Sequence, residues 1–209
     1  MKKIIDISWP ITQDITTYKD RKNVHFEHSR IFDRDGTHES SICIYSHTGT
    51  HIDAPAHFVR DGKAVDQIAL DALIGACRVL DFTHITEKIT AQDLSVQDIQ
   101  AGQKILFKTK NSLLGDISPF EKDFVYLDKS GAQFLADKKV SLIGHDYLGI
   151  ERNQPEHETH KILLEHNVVI IEGLRLGHVV PGDYSLCCLP IAIKGLEAVM
   201  ARAVLFINI

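Results

Sequence analysis

The sequence is poor in the features that settle a protein's class at sight. Its 209 residues include one tryptophan, two methionines and four cysteines. Cys43, Cys77, Cys187 and Cys188 form no CxxC pair and no framework spacing, which argues against a disulfide scaffold. Buried free thiols in a reducing cytoplasm are expected instead. No apolar run approaches the roughly 20 residues needed to cross a bilayer, so no membrane association is expected. The opening MKKIIDISWPITQD meets Asp6 and Pro10 too early for a signal-peptide core. Basic side chains are outnumbered, 23 Lys and Arg against 28 Asp and Glu. With a net charge of −5 and no basic footprint, a nucleic-acid partner is not expected. Repeats, low-complexity tracts and Pro/Ser-rich linkers are also missing, which predicts one domain over residues 1–209.

What the chain does have is histidine, 12 in all, set among short apolar runs. IIDIS (4–8), ACRVLDF (76–82), QKILFK (103–108), VSLIG (140–144), VVIIEGL (168–174) and AVLFINI (203–209) read as strands. VHFEHSRIF (24–32) and SSICIYS (40–46), joined by DRDGTHE, read as a β-hairpin. Thr90 followed by Asp93 marks a helix start, because the hydroxyl can accept from an exposed backbone amide. GAQFLADK (131–138) and HETHKILLEH (157–166) carry helical spacing. Strands outnumber helices, so the predicted class is mixed α/β.

Residues 46–58, SHTGTHIDAPAHF, put three histidines and an aspartate into thirteen positions. Thr48, Gly49, Thr50 and Ile52 are poor helix formers and Pro55 excludes a helical continuation. Read as extended chain, His47, His51, Asp53 and His57 share one parity and start on the same side. Gly49, without a Cβ, lets the backbone fold closely around the point they face. Two imidazoles and a carboxylate suit Zn²⁺ or Mn²⁺. Three protein ligands leave a coordination position for water, as catalytic sites do. His57, past the proline, could sit close without ligating and do acid–base work.

HTGTHIDAPAHF (47–58) resembles the signature of the metal-dependent cyclase family, which includes bacterial kynurenine formamidases (arylformamidases) and isatin hydrolases. Weaker likenesses follow in order: DIS at 6–8, ITAQDL at 89–94, GHDYLGIE at 144–151, HKILLEHNVVIIEGL at 160–174 and YSLCCLPIAIKG at 184–195. The resemblance implies a first metal on His47, His51 and Asp53, and a second on His160 and Glu172 with Asp53 bridging. It implies His57 as the proton carrier and Tyr18 as an aromatic wall of the substrate pocket. It further implies a compact β/β/α fold around a mixed sheet, about two Zn²⁺ per subunit with Mn²⁺ as the alternative, and a homodimer or larger homo-oligomer. The implied reaction is hydrolysis of a small-molecule amide, an aryl formamide such as N-formylkynurenine. A cyclic amide of the isatin type is the nearest alternative. A noncatalytic metal-dependent binding protein on the same fold is the alternative of another class, and His57 argues against it, since binding alone needs no imidazole outside the ligand set.

The local pattern tolerates these placements. His160 precedes Leu163 and Leu164 by three and four residues, on the helix face turned inward. Glu172 ends the apolar run VVII, where a carboxylate would be awkward if buried and unpaired. His157 and His166 are expected to be solvated, His25, His28 and His38 exposed, and His84, His145 and His178 in loops or at strand ends without partners. Asp146 is expected to cap a turn. Cys187, Cys188 and Trp9 are expected to pack in the core. Three segments depart from the family text: YKDR (18–21), KILFKTKNS (104–112) and GLEAVMAR (195–202). They are expected to alter pocket shape and subunit contacts rather than the metal site.

Overall fold

The computed structural model describes residues 3–22 and 24–207, so the last two residues of the predicted terminal strand lie outside the described residues. Twelve strands occur among them. They are β1 (Ile4–Asp6), β2 (Val24–Arg30), β3 (Glu39–Ile44), β4 (His51–Asp53), β5 (Ile74–Asp81) and β6 (Lys88–Ile89). The rest are β7 (Lys104–Lys108), β8 (Tyr126–Leu127), β9 (Leu142–His145), β10 (Val169–Glu172), β11 (Gly182–Pro190) and β12 (Ala198–Phe206). The helices are α1 (Phe32–Asp35), α2 (Leu70–Leu73), α3 (Ala91–Ser95), α4 (Lys129–Asp137) and α5 (Glu158–Glu165).

Eight strands form one mixed sheet in the order β1-β12-β11-β5-β7-β9-β10-β4, and β4 also pairs with β12. That extra pairing closes seven strands into a barrel, with β1 sharing the β12 edge. β5, β7, β9 and β10 run parallel; β4, β11 and β12 join antiparallel. β7, β9 and β10 are covered on both faces, which is why their sequences are continuous apolar runs rather than alternating ones, whereas β5 carries Arg78 and leaves Ile74 and Asp81 exposed. Successive residues divide between two cores. Ile105, Phe107, Ile143 and Ile170 pack under α4 and α5 with Leu135, Leu163 and Leu164. Leu106, Leu142, Val169 and Ile171 face inward with Ile52, Leu186 and Leu205.

The helix starts follow their chemistry. Thr90 Oγ1 accepts from the Asp93 amide, and Asp93 accepts from the Thr90 amide at 2.8 Å, a reciprocal cap on α3. Asp128 caps α4 through the Gly131 amide at 3.0 Å. The β2–β3 hairpin forms as expected, its DRDG turn becoming the single helical turn α1 closed by Gly36. It stands largely in solvent. Cys43 is therefore exposed, against the expectation of four buried thiols; Cys77 and Cys188 are buried and Cys187 is half-buried. None is in a disulfide. Trp9 anchors the core as expected, 2% exposed, with Arg175 over its ring at 4.4 Å.

Candidate metal centre and cavity

Register brings the distant stretches together. On antiparallel β4 and β10, Glu172 lies opposite His51 and Ile170 opposite Asp53. Ile52 points into the barrel, so His51 and Asp53 point the other way, toward α5, as does Glu172 one strand over. His160, on the buried face of α5 with Thr159, Leu163 and Leu164, comes down onto them. His47 arrives differently from the extended run expected. The chain bends at Gly49, whose φ of +59° disfavours any residue with a side chain and where a Cβ would sit tightly, 3.0 Å from Ile11 Cγ1 and 3.3 Å from the Trp9 carbonyl oxygen. His57 ends a one-turn 3-10 helix, Pro55–His57. Shared parity thus holds for His51 and Asp53 only; a glycine bend and a proline-led turn bring the other two.

Asp53 is the centre. Its Oδ1 lies 3.1 Å from His47 Nδ1 and 3.5 Å from His51 Nε2, and its Oδ2 lies 3.7 Å from His160 Nε2. Glu172 closes the ring, with Oε2 3.5 Å from His51 Nε2 and Oε1 3.3 Å from His160 Nε2. Glu172 is 4% exposed, its Oε1 also accepting the Ile150 amide at 2.6 Å. Asp53 is wholly buried, yet neither of its carboxylate oxygens accepts a hydrogen bond, and His51 Nε2 makes none. Buried polar atoms left this way are costly. A divalent cation among two carboxylates and three imidazoles removes the cost, and the donor set suits it.

The far nitrogen of each imidazole is also held. His51 Nδ1 lies 3.0 Å from the Gly49 carbonyl oxygen. His160 Nδ1 lies 3.1 Å from Glu151 Oε1, in ion-pair rather than in-line hydrogen-bond geometry. His47 Nε2 lies 3.4 Å from Glu197 Oε1, which also accepts from Ser46 Oγ at 2.7 Å. Such partners fix ring orientation and raise ligand basicity in metal sites. Charge follows the geometry. Burial opposes the protonated form of His51, but Asp53 and Glu172 hold it up to about 9. Burial and the nearby Asp53 oppose the charge on Glu172, but His160 and His51 hold it down to about 2. Burial works against the Asp53 carboxylate too, and His160 and His47 keep it well below the usual range.

His57 is half-buried beside the cluster, its ring centroid 4.3 Å from that of His47 and 5.6 Å from that of His160. Burial lowers its pKa; Asp53 opposes this and His47 reinforces it, which leaves a neutral imidazole. His47, His57, His160 and Glu172 reach a cavity of about 640 Å³ whose lining also includes Tyr18, Phe58, Leu148 and His157. Tyr18 packs edge-on against Phe120 at 5.0 Å.

Sequence reasoning passed over three groups. Glu151, at the end of GHDYLGIE, is buried and accepts the His160 amide at 3.1 Å as well as facing its ring. His157 is exposed as expected but not idle: its Nδ1 sits 2.5 Å from Glu151 Oε1 and it lines the cavity. Glu197 lies in GLEAVMAR, the segment assigned to pocket shape, yet it contacts His47. A glutamate in a loop carries no local mark of burial, so only the GHDYLGIE likeness could have pointed to Glu151. His145, expected without partners, is wholly buried with Nε2 2.9 Å from the Val125 carbonyl oxygen. Asp146 does cap a turn, accepting from the Thr109 amide at 2.7 Å and Ser112 Oγ at 2.6 Å. His166 is exposed.

Comparison with known proteins agrees with this architecture. The Putative cyclase family model matches residues 5–152. A kynurenine formamidase of Bacillus cereus is 32% identical over 203 residues, 96% of each chain. A solved structure described as a potential metal-dependent hydrolase with cyclase activity shares 40% identity and a TM-score of 0.90 over 99% of this chain and 98% of that one. Isatin hydrolase A from Ralstonia solanacearum shares the fold, with TM-score 0.87 at 19% identity over 99% and 92% of the two chains. With the family model matching well over half its length and a relative aligned almost end to end, the chain belongs to the Putative cyclase family.

Proposed function

We propose that the chain is a metal-dependent hydrolase of C–N bonds other than peptide bonds, arylformamidase-like, converting an aryl formamide to an amine and formate. One observation carries the reading: two buried carboxylates face three imidazoles whose far nitrogens are each held, and His47, His160 and Glu172 of that cluster open onto a cavity with a further imidazole beside them. The kynurenine formamidase relative and the 40%-identical hydrolase structure support the same class.

His47, His51 and Asp53 would hold one ion, and His160 with Glu172 a second, Asp53 facing both. Zinc fits these donors, with manganese as the alternative. When bound, such an ion activates water and polarises the amide carbonyl. His57, neutral and outside the ligand set, takes a proton from the attacking water and returns it to the leaving nitrogen. Phe58 and Tyr18 give the aryl ring an apolar wall. Assembly as a homodimer or larger belongs to this reading. The β2–β3 hairpin supports it, because a lone two-stranded ribbon is marginal in water and this one exposes Ile31, Phe32 and Ile42.

Elemental analysis combined with hydrolysis of formanilide and N-formylkynurenine, with and without chelator, tests the proposal. Chelator-sensitive release of formate is expected. His57→Ala should retain the metal and lose about 10²–10⁴-fold in turnover. A metal-loaded protein that hydrolyses no aryl formamide, or a His57→Ala variant that loses its metal, would sink it.

A further inference from the structure

The cavity is not electrically neutral at its mouth. Lys19, Arg21 and Arg152 line it together with the floor histidines. Among the described residues, the only carboxylates in the lining are Glu151 and Glu172, and both are buried against histidines. Lys19 and Arg21 are exposed, and neither side chain has a carboxylate within ion-pair distance among the described residues. Arg152 pairs with Asp123 through Nη1 at 2.7 Å, but its side chain is only 10% exposed and its Nε is buried without a hydrogen bond.

The turn that carries Lys19 is built to hold it there. Lys19 and Asp20 both adopt the left-handed region, φ +56° and +55°, which residues with a Cβ avoid. Two contacts to Phe120 hold the turn: the edge-on Tyr18 ring, and Asp20 Oδ1 accepting the Phe120 amide at 2.7 Å. Asp20 is thereby occupied, and the ammonium of Lys19 lies 5.0 Å from the Tyr18 ring centroid, on the wall assigned to the aryl group. Strained backbone of this kind persists where the surroundings over-determine it, often at ligand clamps.

We propose that Lys19, Arg21 and Arg152 form an anion subsite, and that the substrate is an aryl amide whose end remote from the scissile carbonyl carries a carboxylate with no ammonium beside it. This rests on the amide-hydrolase reading above and deepens it. A lone anion is matched by three cations, two of them free of protein carboxylates. An amino-acid zwitterion is matched only in part, because no lining carboxylate is free to receive its ammonium. Attraction across a partly exposed mouth also makes binding sensitive to ionic strength.

Rates of the metal-loaded protein on 4-(2-formamidophenyl)-4-oxobutanoate (anion, its carboxylate remote from the formamide), N-formylkynurenine (zwitterion) and formanilide (neutral) test the claim at low and high salt. The anion should have the highest kcat/KM, through a lower KM that rises with salt. The double variant Lys19→Ala, Arg21→Ala should lower the anion-to-neutral ratio of kcat/KM by about tenfold. Calorimetric binding of benzenesulfonate, a weak metal ligand, against uncharged methyl phenyl sulfone gives a readout independent of turnover. The sulfonate should bind more tightly to the parent than to the double variant. Equal kcat/KM for anion and neutral, or sulfonate binding unchanged in the variant, overturns the subsite. Failure to hydrolyse any of the three overturns the amide-hydrolase reading instead, and the sulfonate comparison still decides the subsite.

Discussion

Glu151 offers the sharpest test of how the metal centre is held. Three nitrogens converge on its carboxylate: the His160 backbone amide at 3.1 Å from Oε2, His160 Nδ1 at 3.1 Å from Oε1 and His157 Nδ1 at 2.5 Å from Oε1. A carboxylate serves them all because both of its oxygens accept. Glu151→Gln keeps the shape but leaves one accepting oxygen, so its amide group must face at least one of these nitrogens. It also removes the negative charge behind the His160 ring. Changes of this kind to groups orienting a metal ligand cost 10–100-fold in affinity. That is about 1.4–2.7 kcal/mol.

The assay is competitive metal titration of the purified variant against a chelator of known affinity, with melting of the metal-free protein run in parallel. On the proposed two-ion reading, the expected result is a 10–100-fold weaker dissociation constant for the ion nearest His160, with the other ion nearly unaffected. Glu151→Asp, shorter but charged, should recover part of the loss. Unchanged affinity for both ions in Glu151→Gln, or equal weakening of both, would refute the idea that this carboxylate orients His160.

Proton balance gives a second expectation. His51 is held protonated up to about 9 in the metal-free protein, well above its unfolded value near 6.5. Its contribution to metal-free stability is thus full below about 6.5 and lost as pH rises through about 9. Metal must displace that proton, so apparent affinity should climb about tenfold per pH unit over this window and level off above it. Titration calorimetry in two buffers of different ionisation heat measures the proton released; no release at pH 7 would contradict the charge assignment. Gly173→Ala should damage the fold next to the centre. At φ +70° its Cβ would fall 2.2 Å from the Gly49 carbonyl oxygen, and the Gly173 carbonyl receives Thr50 Oγ1 at 2.6 Å. Left-handed strain alone costs about 1–2 kcal/mol. With the clash, about 3 kcal/mol and a melting temperature lower by about 6–12 °C are expected, so melting within about 2 °C of the parent would show that the backbone relaxes freely.

Much of the fold was legible in the sequence because its signals are local. Continuous apolar runs marked β9 and β10 as buried strands, since strands covered on both faces need no alternation, and shorter apolar stretches marked β5 and β7. Thr90 and Asp93 marked the start of α3, and the spacing of His160 to Leu163 and Leu164 marked the buried face of α5. Crowded imidazoles and a carboxylate around Gly49 and Pro55 pointed to metal chemistry without any long-range contact. The exposed Cys43 was missed because it alternates with apolar residues on a hairpin that protrudes, and alternation does not tell which face finds a partner.

The residue chemistry of HTGTHIDAPAHF, its unsuitability for a helix and the strand-rich class were thus set by the sequence itself, through propensity and side-chain type. Tertiary structure decided the rest. Pairing of β4 with both β10 and β12 closes the barrel and sets His51 opposite Glu172, 121 positions later in the chain (172 − 51). The same closure carries Glu197 to His47, while the loop ahead of α5 carries Glu151 under His160. No neighbouring residue announces such contacts. A carboxylate in a loop has the same local environment whether it ends in water or against an imidazole, and only the packing of the whole sheet determines which.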